Sequence, residues 1–187
     1  MLLLLVFFLT RTTETPPPQP PSRGAWQGNT FTSEYLGFTV TIPLNVPWRA
    51  LSDAEIAALN RNIPDVETDF YIHHDQTAAS IELTHKKIPQ DAEEFSLREH
   101  LEGLAEIETE QANTLGLESS FEIIGNTILV EAEWLTKRSA FNLPGLPPVL
   151  VFRLVRQIDD FIVSIEFVVD DYDELRSIFD WFSTRGA

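Results

Sequence analysis

The chain has 187 residues, of which 43% are hydrophobic and 22% are charged, a composition typical of one globular domain. Its net charge of −16 argues against binding to nucleic acid, because affinity for a phosphate backbone depends on clustered lysine and arginine. It has no cysteine, which excludes disulfides, thiolate metal sites and lipid attachment to a cysteine.

The N-terminal segment indicates a location outside the cytoplasm. Residues 1–9, MLLLLVFFL, are almost uniformly apolar, but at about 1.5 Å per residue they are too short to span a bilayer core of about 30 Å. They match the apolar region of a signal peptide, although no basic stretch precedes them and no small-residue cleavage site follows. We predict an export or anchoring segment; a wrongly assigned translation start is the alternative interpretation.

A proline-rich stretch follows. Residues 16–21, PPPQPP, hold five of the twelve prolines and predict a semi-rigid polyproline spacer, with an SH3-type ligand as the weaker alternative. We therefore assign residues 1–23 to a signal-like segment and tether near a membrane, and residues 24–187 to a single extracytoplasmic domain.

Alternation and capping patterns predict the first elements. Residues 38–42 alternate apolar side chains with threonine and stop at Pro43, which predicts a half-buried strand with residues 30–33 as its partner. Ser52 and Glu55 form a capping box for a short helix over residues 53–60. The patterns of residues 70–73 and 80–86 predict two further strands.

A second cap at Ser96 predicts a helix whose buried face carries leucine and alanine at helical spacing (Leu97, Leu101, Leu104, Ala105). Three strands follow at residues 128–135, 149–158 and 161–169, with Gly125-Asn126 and Asp159-Asp160 as turns, and we expect them to form the centre of the sheet. Asp171 is the predicted cap of a last helix, with an apolar stripe of Tyr172, Leu175, Ile178, Phe179 and Phe182.

The fold class follows from the last strand. Its odd-numbered residues are all apolar, and its other face also carries apolar residues. Both faces of the sheet therefore need cover, so we predict an α+β domain with helices on both faces of a largely antiparallel sheet.

One stretch carries a family resemblance. Residues 26–43, WQGNTFTSEYLGFTVTIP, followed by Trp48 and the capped SDAEI at residues 52–56, resemble bacterial extracytoplasmic proteins of the PsbP-like superfamily. The resemblance implies an antiparallel sheet sandwiched by helices and a binding or assembly role, without a shared catalytic site. The chain departs from the lipoprotein members in having no cysteine, and its approach to Trp48 through residues 44–47 is longer.

Candidate metal ligands favour a structural interpretation. The nearest approach to a cluster is His73, His74, Asp75 and His85. A hairpin that places His73 opposite Ile81 would leave His85 about 13 Å away, so we expect exposed hairpin residues without metal. Four acidic residues lie at the start of the last helix (Asp170, Asp171, Asp173, Glu174). Their spacing lacks the pattern of a calcium-binding loop, so we interpret them as helix-capping residues.

Catalytic motifs are not found. Glu131 and Glu133 would face Arg153 or Arg156 on the next strand, which predicts cross-strand ion pairs more readily than a catalytic carboxylate pair. The sequence contains no nucleophile elbow, phosphate-binding loop or dinucleotide-binding glycine motif. We therefore expect no enzyme activity, cofactor or metal.

The sharpest functional hypothesis concerns residues 137–148, KRSAFNLPGLPP, predicted as a long loop between two strands. Apolar and basic side chains on a proline-stiffened backbone would suit a protein-binding knob (Lys137, Arg138, Phe141, Leu143, Leu146). The alternative is that these side chains fold over the sheet edge as a small satellite core.

Two function classes remain from the sequence. The first is a non-enzymatic binding or assembly domain with a protein partner. The second is a small-ligand-binding or hydrolytic domain whose polar groups meet only in three dimensions. A pocket with convergent polar groups would favour the second, and an exposed apolar loop or groove the first.

Overall fold

Strands with alternating apolar residues dominate the computed structural model, which describes residues 22–61, 65–89 and 95–185. The strands of this described part are β1 Ala25–Gln27, β2 Thr30–Ser33, β3 Phe38–Thr41, β4 Trp48–Ala50, β5 Val66–His74, β6 Ser80–Lys87, β7 Glu118–Leu129, β8 Ala132–Asn142, β9 Val149–Ile158, β10 Phe161–Val169 and β11 Phe182–Thr184. The helices are α1 Asp53–Asn60, α2 Leu97–Thr114 and α3 Tyr172–Phe179.

Seven strands form one antiparallel sheet in the order β4-β5-β6-β10-β9-β8-β7. β10 lies at its centre, with β6 and β9 on either side. The expected central position of β9 and β10 is confirmed. The third central strand is β6 and not the strand predicted over residues 128–135.

A second, four-stranded antiparallel sheet has the order β1-β2-β3-β11. Its apolar face packs on the odd-numbered face of β10 together with α3, and this contact is the main core. The core includes Phe31, Val40, Ile165, Phe167 and Ile178, each with 0% exposure.

The opposite face of the large sheet is covered by α2. Leu101 of this helix packs with Val155 and Ile162 in a smaller core, and Leu97 and Leu104 contact its rim. With α2 on one face and α3 on the other, the predicted α+β class with helices on both faces of an antiparallel sheet is confirmed.

The local signals for helix starts are also confirmed. The hydroxyl of Ser52 accepts a hydrogen bond from the backbone N–H of Glu55, whose carboxylate accepts one from the backbone N–H of Ser52. Ser96 and Asp171 cap α2 and α3 by accepting from the N–H three residues on. Phe182, however, lies in β11 and not on the apolar stripe of α3, because the helix ends at Phe179.

The predicted strand over residues 128–135 is wrong. A tight hairpin turn at Val130 and Glu131 divides it, and both residues have positive φ angles, of 50° and 60°. Such turns usually carry Asn-Gly or Asp-Gly, so Val-Glu is not recognisable as one. The predicted turn at Gly125-Asn126 is wrong for the converse reason, because Gly125 lies at a β-bulge inside β7 with a φ of 99°.

The predicted signal-like segment and most of the tether lie outside the described residues. Arg23, assigned to the end of that tether, contacts the domain: its guanidinium donates to the backbone oxygen of Asp69 at 3.2 Å and pairs with Asp53 at 3.0 Å.

Candidate functional sites

The predicted loop over residues 137–148 is shorter than expected. β8 continues to Asn142, so Lys137, Arg138 and Phe141 belong to a strand, and the connection to β9 is residues 143–148. Within it, Leu146 is 66% exposed and Leu143 is half-buried.

The expected basic spot is also corrected. Lys137 has 0% exposure and forms an ion pair with Glu108 of α2, because its position on β8 faces the helix. Arg138 pairs with Glu122 at 2.8 Å and donates to the hydroxyl of Tyr172. Neither cation is available as the exposed basic group of a knob.

The histidines are arranged differently from the sequence expectation. His73 lies opposite Ser80, one residue from the predicted register, and His85 is 4% exposed. Nδ1 of His85 lies 3.4 Å from the buried carboxylate of Asp69, and its Nε2 lies 3.6 Å from Glu67. In the described ranges no set of three or more acidic or histidine side chains is placed to hold a metal ion.

The acidic residues also have other partners than predicted. Asp171 caps α3, and the carboxylate of Glu174 accepts from the backbone N–H of Asp170. Glu131 is a turn residue and Glu133 accepts from Asn126, so neither faces Arg153. The expected cross-strand pair is wrong because the hairpin turn moves both glutamates to the end of the sheet.

A long free strand edge is the first candidate site. β7 is the terminal strand of the large sheet and has 12 residues, and no described strand pairs with its outer edge. Phe121, Ile124 and Ile128 on this strand are exposed apolar residues. The register pairs Glu118 with Asn142, so the loop with Leu146 lies at the start of this edge, close in sequence to the exposed Leu115.

An acidic cleft runs beside this edge. It has a volume of about 550 Å³ between α2 and β7, and its lining residues are Glu106, Thr109, Glu110, Asn113, Thr114 and Phe121. The exposed edge therefore combines unpaired backbone groups, apolar side chains and two carboxylates, and we name it the β7 surface.

A row of charges under α2 is the second candidate site. The register places Glu82, Glu166, Arg153 and Lys137 opposite one another on four consecutive strands, β6, β10, β9 and β8. Glu108 of α2 lies above the row. Ionisable groups at the middle of a covered sheet are expensive to desolvate, so their placement requires either close pairing or a function.

Most of the row is paired. The guanidinium of Arg153 binds Glu166, with an Nε to Oε2 distance of 2.8 Å, and its Nη1 lies 3.2 Å from Oε1 of Glu108. Glu108 also accepts from Lys137 and, at 2.9 Å, from the hydroxyl of Ser139. Two cations therefore neutralise two carboxylates.

Glu82 is the exception. The hydroxyl of Thr68 donates to its carboxylate at 2.9 Å, but none of the ion pairs among the described residues includes it. Burial raises the pKa of Glu82, and the neighbouring Glu166 raises it further, while the Thr68 hydrogen bond and the charge of Arg153 act in the opposite direction.

A cleft of about 250 Å³ opens at Glu82, between α2 and β6 and β10. Its polar lining is Glu82, Thr84, Lys86, His100, Arg153, Ser164 and Glu166, and its apolar lining is Val66, Leu104 and Ile162. Burial lowers the pKa of His100, and the nearby Lys86 and Arg153 lower it further, so its imidazole is neutral at pH 7. We name this site the Glu82 cleft.

Sequence reasoning alone missed both sites. Charged residues in the middle of otherwise apolar strands, such as Glu166 in β10, can be seen in the sequence. Their partners cannot, because the partner of Glu166 lies 13 residues away in the chain and that of Lys137 lies 29 residues away. β7 itself was missed because its alternation is weak and it contains a glycine bulge.

The comparisons with known proteins give a structural likeness but no sequence match. No family model matches the chain, and no curated protein matches it. Among solved structures, the chain is similar to the solution structure of cyanobacterial PsbP (CyanoP) from Synechocystis sp. PCC 6803, with 11% identity and a TM-score of 0.49 over 83% of this chain and 91% of that chain. At that identity and score the likeness carries no inference about activity or partners. In the part of the chain that the structure describes, no helix is long and apolar enough to cross a membrane.

Proposed function

We propose that this chain is a non-enzymatic, extracytoplasmic binding domain that docks a protein partner on the β7 surface. The observation that carries the proposal is the unpaired edge of β7 with its exposed apolar side chains. The location rests on the apolar segment at residues 1–9 and the polyproline stretch at residues 16–21.

Free strand edges normally carry features that prevent pairing, such as short length, lysine or proline. The other edge of the large sheet, β4, is short, with three residues. β7 has 12 residues, and its sequence, ESSFEIIGNTIL, contains neither lysine nor proline. The bulge at Gly125 interrupts it, but residues 118–123 before the bulge suffice to pair with an extended segment.

The partner chemistry follows from the charge around the edge. Glu106 and Glu110 line the cleft beside Phe121, and Glu118 begins the strand. Two copies of this chain, each with a net charge of −16, would bring these carboxylates together. The surface therefore suits an extended segment of another protein that alternates basic and apolar residues.

Site-specific photo-crosslinking in the cells that produce the protein tests the proposal. A crosslinker at position 124 or 128 should give a discrete adduct with one other protein, and a crosslinker at Leu44, which is 85% exposed and lies on another part of the surface, should not. Phe121→Lys, which places a charge within residues 118–123, should remove the adduct formed at position 124 without unfolding the domain, because this side chain is exposed. Adducts of equal yield at position 44, or adducts with a second copy of this chain, would contradict the proposal.

A further inference from the structure

We propose that the Glu82 cleft binds a small ligand that carries a protonated amine on a short alkyl chain, with the ammonium group at the carboxylate of Glu82. This is a second site, separate from the β7 surface, and it is built from β5, β6, β9, β10 and α2.

The unpaired carboxylate specifies the cation. Arg153 already binds two carboxylates, and Lys137 is held by Glu108, so neither forms an ion pair with Glu82. The positive charge of Arg153 lowers the pKa of Glu82, but this effect is smaller than the effect of burial, which raises it. An ammonium group brings one positive charge and three hydrogen-bond donors. It would find Glu82, with the hydroxyls of Thr84 and Ser164 in the same lining.

The remaining walls specify an alkyl chain. Val66, Leu104 and Ile162 form the apolar part of the lining. A volume of about 250 Å³ is below the range of about 300–1,000 Å³ that drug-sized ligands occupy, so the ligand is small.

The other charges orient the ligand. Lys86 lies four residues from Glu82 on the same face of β6, about 13 Å away along the strand. It repels an ammonium group at its own end of the cleft, and His100 is neutral at pH 7. At the other end the lining holds Glu82, Glu166 and Arg153, and Arg153 is ion-paired with Glu166. The carboxylate of Glu82 is therefore the group in the cleft that can stabilise a cation.

Titration of the full chain with n-butylammonium chloride at pH 7, followed by amide shifts in NMR, tests the inference. We expect saturable shifts in residues 82–86, 100–104 and 162–166. Glu82→Gln should weaken binding at least about tenfold, because it removes a charge-assisted hydrogen bond. Glu102→Gln, which makes the same change of charge on the exposed face of α2, should leave the affinity unchanged.

Two further measurements complete the test. Sodium n-butyrate and n-butanol should bind at least about tenfold more weakly than the amine if the carboxylate selects the ligand. In the wild-type protein the affinity for the amine should fall as the pH is lowered toward 4.5, because protonation of Glu82 removes its charge. Shifts that do not saturate, equal binding of butyrate, or an affinity unchanged by Glu82→Gln would each overturn the inference.

Discussion

Replacing Glu108 by glutamine should destabilise the domain far more than replacing Lys137 by methionine, although the two residues form one ion pair. Glu108→Gln leaves the fully buried Lys137 ammonium without a countercharge, whereas Lys137→Met removes a desolvated cation. After the second change, Glu108 keeps the hydroxyl of Ser139 and the guanidinium of Arg153.

The structure bounds the size of the difference. In the Glu108→Gln variant, Lys137 can lose its proton and become neutral. From an ordinary lysine pKa of 10.5 this costs about 5 kcal/mol at pH 7, which is the upper limit of the loss of stability. Glutamine keeps one acceptor oxygen, and Glu108 is 19% exposed, so we expect a loss of about 3 kcal/mol, at the lower end for a broken buried pair. Lys137→Met should change the free energy of unfolding by about 1 kcal/mol or less.

Urea unfolding at pH 7 measures both values. With a slope of about 2 kcal/mol per molar urea, the Glu108→Gln midpoint should shift down by about 1.5 M. Raising the pH to 9 should shrink this deficit, because deprotonation of a lysine costs about 2.7 kcal/mol less there. Equal losses for the two variants, or a Glu108→Gln loss under about 1 kcal/mol, would refute the argument that Lys137 is a buried cation held by Glu108.

Three other predictions concern the stability of the domain. Glu82→Gln should stabilise the domain at pH 7, and the gain should vanish below pH 4.5. The pKa of Glu82 is raised in the folded state, so the wild-type protein loses stability as the pH rises through the window above 4.5. A gain independent of pH in urea titrations would contradict this. Glu131→Gly should raise stability by about 0.5–1 kcal/mol, because glycine accepts the positive φ of this turn at no steric cost; a loss in thermal or urea unfolding would count against it. Leu146→Asp should change stability by less than about 0.5 kcal/mol and Phe141→Asp by about 1–2 kcal/mol, because the first side chain is exposed and the second is half-buried. Losses of about 2 kcal/mol or more for both variants in calorimetry would restore the satellite-core interpretation.

The sequence by itself determined the features that neighbouring residues decide. Ser52 and Glu55 satisfy each other's backbone donors across three residues, so the start of α1 could be predicted to the residue. The apolar residues on both faces of β10 indicated that both faces of the sheet are covered, and this was sufficient to predict the α+β class.

Only the tertiary structure decided what depends on pairing between distant segments. Lys137 reads as an exposed basic residue until the register places it opposite Arg153 and beneath Glu108 of α2. The turn at Val130 and Glu131 could not be predicted, because neither residue type favours a turn. The pairing of β7 with β8 holds both residues at positive φ. Glu82 became a candidate ligand group for the same reason: whether a carboxylate is paired depends on side chains that strands and a helix bring from elsewhere in the chain.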